Sequence, residues 1–110
     1  GQHPELAVNL IGRLSQLLRK LAKLVEELSL ADVTTRVAHF LASRVPPGTS
    51  ETTTVDLPEK KTTLAAQLGT IPETLSRSFA RLARQKVISI EGSRIIVHDP
   101  KRLRELAGNQ

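Results

Sequence analysis

The sequence contains no cysteine, methionine, tryptophan or tyrosine, and Phe40 and Phe79 are its only aromatic rings. Without cysteine there is no disulfide, no thiolate nucleophile, no thiolate zinc site and no cysteine-held iron–sulfur cluster, which agrees with a reducing cytoplasm. Without more aromatics the core must be assembled from Leu, Val, Ile and Ala, a composition that favours packed helices. No apolar run approaches the roughly 20 residues of a membrane span, and the N-terminal stretch lacks the uninterrupted apolar segment of a secretory signal. A soluble, cytoplasmic chain with no membrane partner is expected. Gly1 opens a chain without methionine, which reads as a fragment, a tag scar, or a protein whose initiator Met was removed.

What is present fits one module. The 110 residues are 39% hydrophobic and 25% charged, within the globular range and enough for one ordinary domain with an appended helix. Sixteen Lys and Arg against eleven Asp and Glu leave a net charge of +5 and a pI near 10.2. That balance points toward nucleic acid or an anionic surface without choosing between them.

From Ala7 the apolar residues Leu10, Leu14, Leu17, Leu21, Leu24 and Leu28 recur alternately three and four apart, a heptad pattern. Ile11, Leu18 and Val25 add a second stripe, so the apolar face is wider than a two-stranded seam needs. Arg13, Arg19, Lys20, Lys23, Glu26 and Glu27 occupy the polar face, and Pro4 suits a first-turn position. A dimerisation helix over residues 1–28 is expected, with a core helix of a bundle as the plainer reading. Ser29 and Asp32 resemble a capping box that opens a second helix carrying Leu30, Val33, Val37, Phe40 and Leu41, which ends before Pro46-Pro47-Gly48.

Residues 29–110 read as a second unit. The Ser- and Thr-rich stretch from Thr49 to Thr54 predicts a turn or mobile loop, followed by a short strand around Thr54 to Leu57. Pro58 then helps to open a short helix whose inner face is Leu64, Ala65 and Leu68. Gly69 stands where that helix stops, and Pro72 where the next begins. That next helix, over 72–86, buries Leu75, Phe79 and Leu82 and exposes Glu73, Thr74, Ser76, Arg77, Arg81 and Arg84. Val87, Ile88 and Ile90 lead through Glu91-Gly92-Ser93 to Ile95, Ile96 and Val97, a β-hairpin. Asp99 as cap and Pro100 as first residue start a last helix, with Leu103 and Leu106 inward and Gly108 at its end.

Helix, tight turn, polar-faced helix and hairpin is the order of a mainly α winged helix-turn-helix: a three-helix core with a small hairpin wing. In that architecture the first residues of the second helix meet base edges in the major groove. Here they are Glu73, Ser76 and Arg77. Arg donates two bonds to guanine, Glu accepts from cytosine, and Ser suits either kind of edge. The plainer reading of Glu73 and Arg77 is a surface pair one turn apart. Arg81 and Arg84 fit phosphate contacts or plain solvation, and Lys60, Lys61, Thr62, Thr63 and Arg94 would flank the groove.

The segment LPEKKTTLAAQLGTIPETLSRSFARLARQKVISIEGSRIIVHDPKRLRELAG resembles the DNA-binding domain of the CRP/FNR superfamily of bacterial transcription regulators. LSLADVTTRVAHFLASR resembles the helix that precedes it, and the heptad helix resembles the family's long dimerisation helix. Glu73-x-x-Ser76-Arg77 resembles the signature of the FNR-like branch, which includes nitrogen-oxide-responsive regulators; the CRP branch has Gly where Ser76 stands. The resemblance implies a homodimer on a palindromic double-stranded operator of the type TTGAT-N4-ATCAA, with Arg77 on the guanine and Thr74 on phosphate, and RNA polymerase as a further partner. It also implies a sensor β-barrel ahead of the dimerisation helix, which is missing from this sequence. Any haem, iron–sulfur cluster or nucleotide effector would belong there, so no cofactor is expected here.

The family places Ser or Thr just before the recognition helix. This sequence has Ile71, so Thr70 or water must serve the first amides. An alternative is a winged helix used as a protein-interaction module with a non-specific basic surface. Enzymatic function is not expected: His3, His39 and His98 are isolated from any nucleophile and show no metal-ligand spacing.

Overall fold

The structure, a computed structural model, describes residues 3–57 and 59–108. The expected role of Pro58 in opening a helix lies outside the described residues. Helix α1 spans Pro4–Ser43, with Pro4 in its first turn and Glu5 beside it, where a carboxylate complements the helix dipole. At about 1.5 Å per residue its 40 residues run about 60 Å, which makes the molecule long, 70 × 26 × 24 Å.

The break expected at Ser29 does not form: α1 passes straight through it. A capping box needs its first residue to leave helical geometry, and no Gly or Pro between Leu24 and Ser43 forces that. The Asp32 carboxylate instead meets Arg36 Nη2 at 2.6 Å, one turn later. The Thr34 and Thr35 hydroxyls donate to the carbonyls of Leu30 and Ala31 at 2.6 and 3.1 Å, so neither competes for the helix. One helix thus has two environments. Residues 4–29 are exposed or, at Ser15, half-buried, and core burial begins at Val33 and continues through Val37, Ala38 and Leu41.

The chain then turns through Pro46-Pro47-Gly48, and the C-terminal helix α4, Pro100–Ala107, lies beside this turn, where Arg104 Nη2 donates to the Thr49 carbonyl at 2.8 Å. The stretch expected to be loop up to Thr54 is shorter, because strand β1 spans Thr53–Asp56. Helices α2, Lys61–Gln67, and α3, Pro72–Arg84, follow. Helix α3 ends two residues before the expected Lys86, which takes φ +62°. The Lys86 N–H bonds to the Ala83 carbonyl and the Val87 N–H to that of Leu82, a Schellman closure that brings Val87 into the core.

Strands β2, Ile88–Glu91, and β3, Arg94–Val97, form the hairpin across Gly92 and Ser93. Strand β1 joins it to give an antiparallel sheet in the order β1-β3-β2, with Val55 opposite Ile95 and Ile88 opposite Val97. These four side chains are buried on the sheet's inner face. Helix α4, Pro100–Ala107, is capped as expected: the Asp99 carboxylate accepts from the Arg102 N–H at 3.0 Å. Leu103 and Ala107 are buried and Leu106 is half-buried. Leu75, Phe79 and Leu82 of α3 pack with these residues and with the buried half of α1 in one core. The winged helix-turn-helix architecture is therefore present.

Candidate nucleic-acid interface

The site is built on the turn between α2 and α3. The Thr70 N–H donates to the Ala65 carbonyl at 2.8 Å and the Gly69 N–H to that of Ala66 at 3.1 Å, with Gly69 at φ +71°. This is again a Schellman closure, and it needs the left-handed residue that glycine supplies without steric cost. The chain re-enters a helix at Ile71, whose extended backbone starts α3 without a side-chain cap. Among the described residues, the amides of Glu73 and Thr74 have no backbone partner, which leaves the N-terminus of α3 open toward solvent.

Along α3 the side chains sort into three rows. Leu75, Ser78, Phe79 and Leu82 face the core. Glu73, Arg77 and Arg84 are exposed, and helical geometry sets them on the opposite crest. Thr74, Ser76 and Arg81, expected to be exposed, are half-buried because neighbouring elements flank them. Ser76 faces α2 and the wing: Lys61 Nζ donates to its Oγ at 3.4 Å, and it lines a cavity of about 300 Å³ with Leu64, Phe79, Ile90 and Ile95. Arg81 lies on the other flank. With Arg77 and Arg84 it lines a groove of about 580 Å³ against Leu24, Leu28 and Ala31 of α1.

The surface pair expected as the plainer reading of Glu73 and Arg77 is not made. Among the described residues, no ion pair includes either side chain. Lys60 is the N-cap residue of α2, and Lys61, Thr62 and Thr63 are exposed in its first turn. Arg94 is at the wing tip, where its Nε meets Asp56 Oδ1 at 3.3 Å. That exposed pair holds it only weakly. Glu73, Ser76, Arg77 and Lys61 are thus brought together, while Arg81 turns toward α1 and Arg94 stands on the hairpin.

Ser78 was missed in the sequence. It is fully buried, its hydroxyl has no hydrogen-bond partner among the described residues, and it sits on the apolar stripe three residues from Leu75 and four from Leu82. That spacing was a signal available in the sequence. Of the histidines, His39 is exposed and His98 Nε2 bonds to Ser89 Oγ across the hairpin. Among the described residues, no three His, Asp or Glu side chains form a group that could hold a metal ion, and no helix is long and apolar enough to cross a membrane.

A turn of this geometry, a polar-crested second helix and a three-stranded wing define a winged helix-turn-helix protein. Residues 35–106 match the model of the Crp-like helix-turn-helix domain, and the chain belongs to that family. It is 28% identical over 106 residues to the probable transcriptional regulator flp of Lacticaseibacillus casei, covering 96% of this chain and 48% of that protein. The fold is similar to that of DNR from Pseudomonas aeruginosa, with a TM-score of 0.71 and 32% identity over 91% of this chain and 44% of that one. It is also similar to the catabolite activator protein of Thermus thermophilus, with a TM-score of 0.70 and 28% identity over 96% and 48% of the two chains. The chain spans about half the length of these relatives.

Proposed function

We propose that this chain is the DNA-reading and dimerising part of a transcription regulator that binds a palindromic operator as a homodimer. The observation that carries the reading is the crest of α3: Glu73 and Arg77 stand exposed and, among the described residues, unpaired beside an uncapped helix N-terminus, on the second helix of a helix-turn-helix. Arg77 reads a guanine through O6 and N7, Glu73 accepts from a cytosine, and Ser76 touches the neighbouring edge. Lys60, Lys61, Thr63, Thr74, Arg81 and Arg94 contact phosphate and set the register. The half-site is of the TTGAT type, in keeping with the Glu73-x-x-Ser76-Arg77 pattern.

The exposed leucines of α1 support the dimer. Leu14, Leu17, Leu21 and Leu24 are each about half exposed, outside the core that begins at Val33. Pairing with the same stripe of a second copy removes them from water and places two α3 helices about one DNA turn apart, roughly 34 Å. The domain division follows: residues 1–28 dimerise and 29–110 read DNA. An effector, whether haem, iron–sulfur cluster or nucleotide, acts from outside these 110 residues. RNA polymerase is a further partner, and the setting is cytoplasmic.

Dimethyl sulfate footprinting tests the contact directly, because the reagent methylates guanine N7 in the major groove. Protection of the guanine in both half-sites of TTGAT-N4-ATCAA is expected. Bound DNA whose guanines stay fully reactive would contradict the reading and favour a protein-interaction module with a merely basic surface.

A further inference from the structure

The guanidinium of Arg36, on α1, makes two bonds and lies against the turn at Gly69. Its Nη2 meets Asp32 Oδ2 at 2.6 Å, its Nη1 donates to the Leu68 carbonyl at 2.9 Å, and Nη1 lies 3.1 Å from where a Cβ on Gly69 would stand. The pair with Asp32 is an exposed contact within one helix and contributes little by itself. The bond to Leu68 differs in kind. It joins residues 32 apart in sequence and ties α1 to the turn from which α3 starts.

The turn's own bonding explains why that carbonyl is open. Thr70 and Gly69 take the carbonyls of Ala65 and Ala66, and Leu68, the C-cap residue of α2, has no backbone partner for its own among the described residues. A cation there also complements the C-terminal end of the helix dipole. The planar fork allows one guanidinium to serve Asp32 and Leu68 together, and the missing Cβ of Gly69 lets it lie against the backbone.

We propose that Arg36 is a positioning residue for base reading: it locks the turn, and with it the start of α3, to the helix that carries the leucine stripe. Helix α1 runs unbroken from Leu10 to Arg36, and Leu68 is four residues from Pro72. The direction set at the seam therefore reaches the start of α3, and with it Glu73 and Arg77, through this side chain in addition to the core packing of Leu75, Phe79 and Leu82 against α1, and Arg36 itself touches no base. This rests on the DNA-binding reading above.

The test combines amide hydrogen exchange on the free protein with binding to TTGAT-N4-ATCAA and to the same duplex with both guanines changed. In Arg36→Gln, exchange at Gly69, Thr70 and Leu75 rises about tenfold as the turn opens more often. The preference for the first duplex falls about tenfold, the scale of one displaced base contact, while the melting temperature and the affinity for the second duplex hold. Arg36→Lys, which keeps one of the two bonds, falls between and supplies the same readings should the Gln variant fold poorly. Unchanged exchange overturns the proposal, as does faster exchange with the preference intact. A drop in melting temperature with equal loss on both duplexes also overturns it, since that is a merely structural role. A wild-type chain that binds both duplexes equally defeats the DNA reading itself, and the clamp is then judged on exchange alone.

Discussion

Lys61 Nζ donates to Ser76 Oγ at 3.4 Å, so a side chain assigned to the phosphate backbone and one assigned to a base edge share a hydrogen bond across α2 and α3. Its position on α3 sets Ser76 toward the wing side of the crest, while Glu73 and Arg77 stand clear of it. The proposed sequence-independent and sequence-reading contacts thus lie within one small surface. Their energetics separate under mutation.

Arg77→Ala should remove about 1–3 kcal/mol of discrimination at one base pair and leave binding to random DNA nearly unchanged. Lys61→Ala should weaken all sequences alike and lower the salt slope by about 1. Titrations of both variants on cognate and random duplexes over a salt series check the assignment. Equal losses on cognate and random DNA for Arg77→Ala would reverse it.

In the proposed dimer, Leu17→Asp would place two carboxylates face to face in an apolar seam, where an unpaired charge is expensive. Monomers are expected by analytical ultracentrifugation, with helix content otherwise retained because Leu17 is remote from the core that begins at Val33. A persisting dimer would move the interface elsewhere.

Ser78 buries a hydroxyl without a partner in the middle of α3. Ser78→Ala removes that desolvated group and favours the helix, so urea unfolding should show a gain of about 1 kcal/mol. A loss of stability would mean that the hydroxyl is satisfied by ordered water.

Lys86 closes α3 in a left-handed conformation at φ +62°. Glycine adopts that region freely, and Lys86→Gly should stabilise the fold by about 1 kcal/mol, read as a raised thermal midpoint. An unchanged midpoint would show that the strain is absorbed elsewhere.

Much of this was legible in the sequence because the signals were local. Gly69 before Pro72, Asp99 before Pro100 and the spacing of Leu75, Phe79 and Leu82 each decide their own few residues. What was misread depended on choices made at a distance. The Ser29–Asp32 pattern looked like a helix start, yet Asp32 had Arg36 as an alternative partner and nothing forced the chain out of the helix. The short strand expected around Thr54 to Leu57 is present as β1, but its pairing with β3 some 40 residues later was not foreseen. In the site, the types and positions of Glu73 and Arg77 were legible. The bond of Ser76 to Lys61, the pairing of Arg94 with Asp56 and the reach of Arg36 to Leu68 are tertiary contacts that no periodicity encodes.

The most direct measurement is fluorescence-anisotropy binding of the chain to TTGAT-N4-ATCAA and to a duplex with both guanines changed, each across a salt series. A strong preference for the first duplex at a similar salt slope is the expected result, because the phosphate contacts are common to both and only the base contacts differ. Equal affinity with a steep salt slope would contradict the account, leaving the basic surface, and not Glu73, Ser76 and Arg77, as the source of binding.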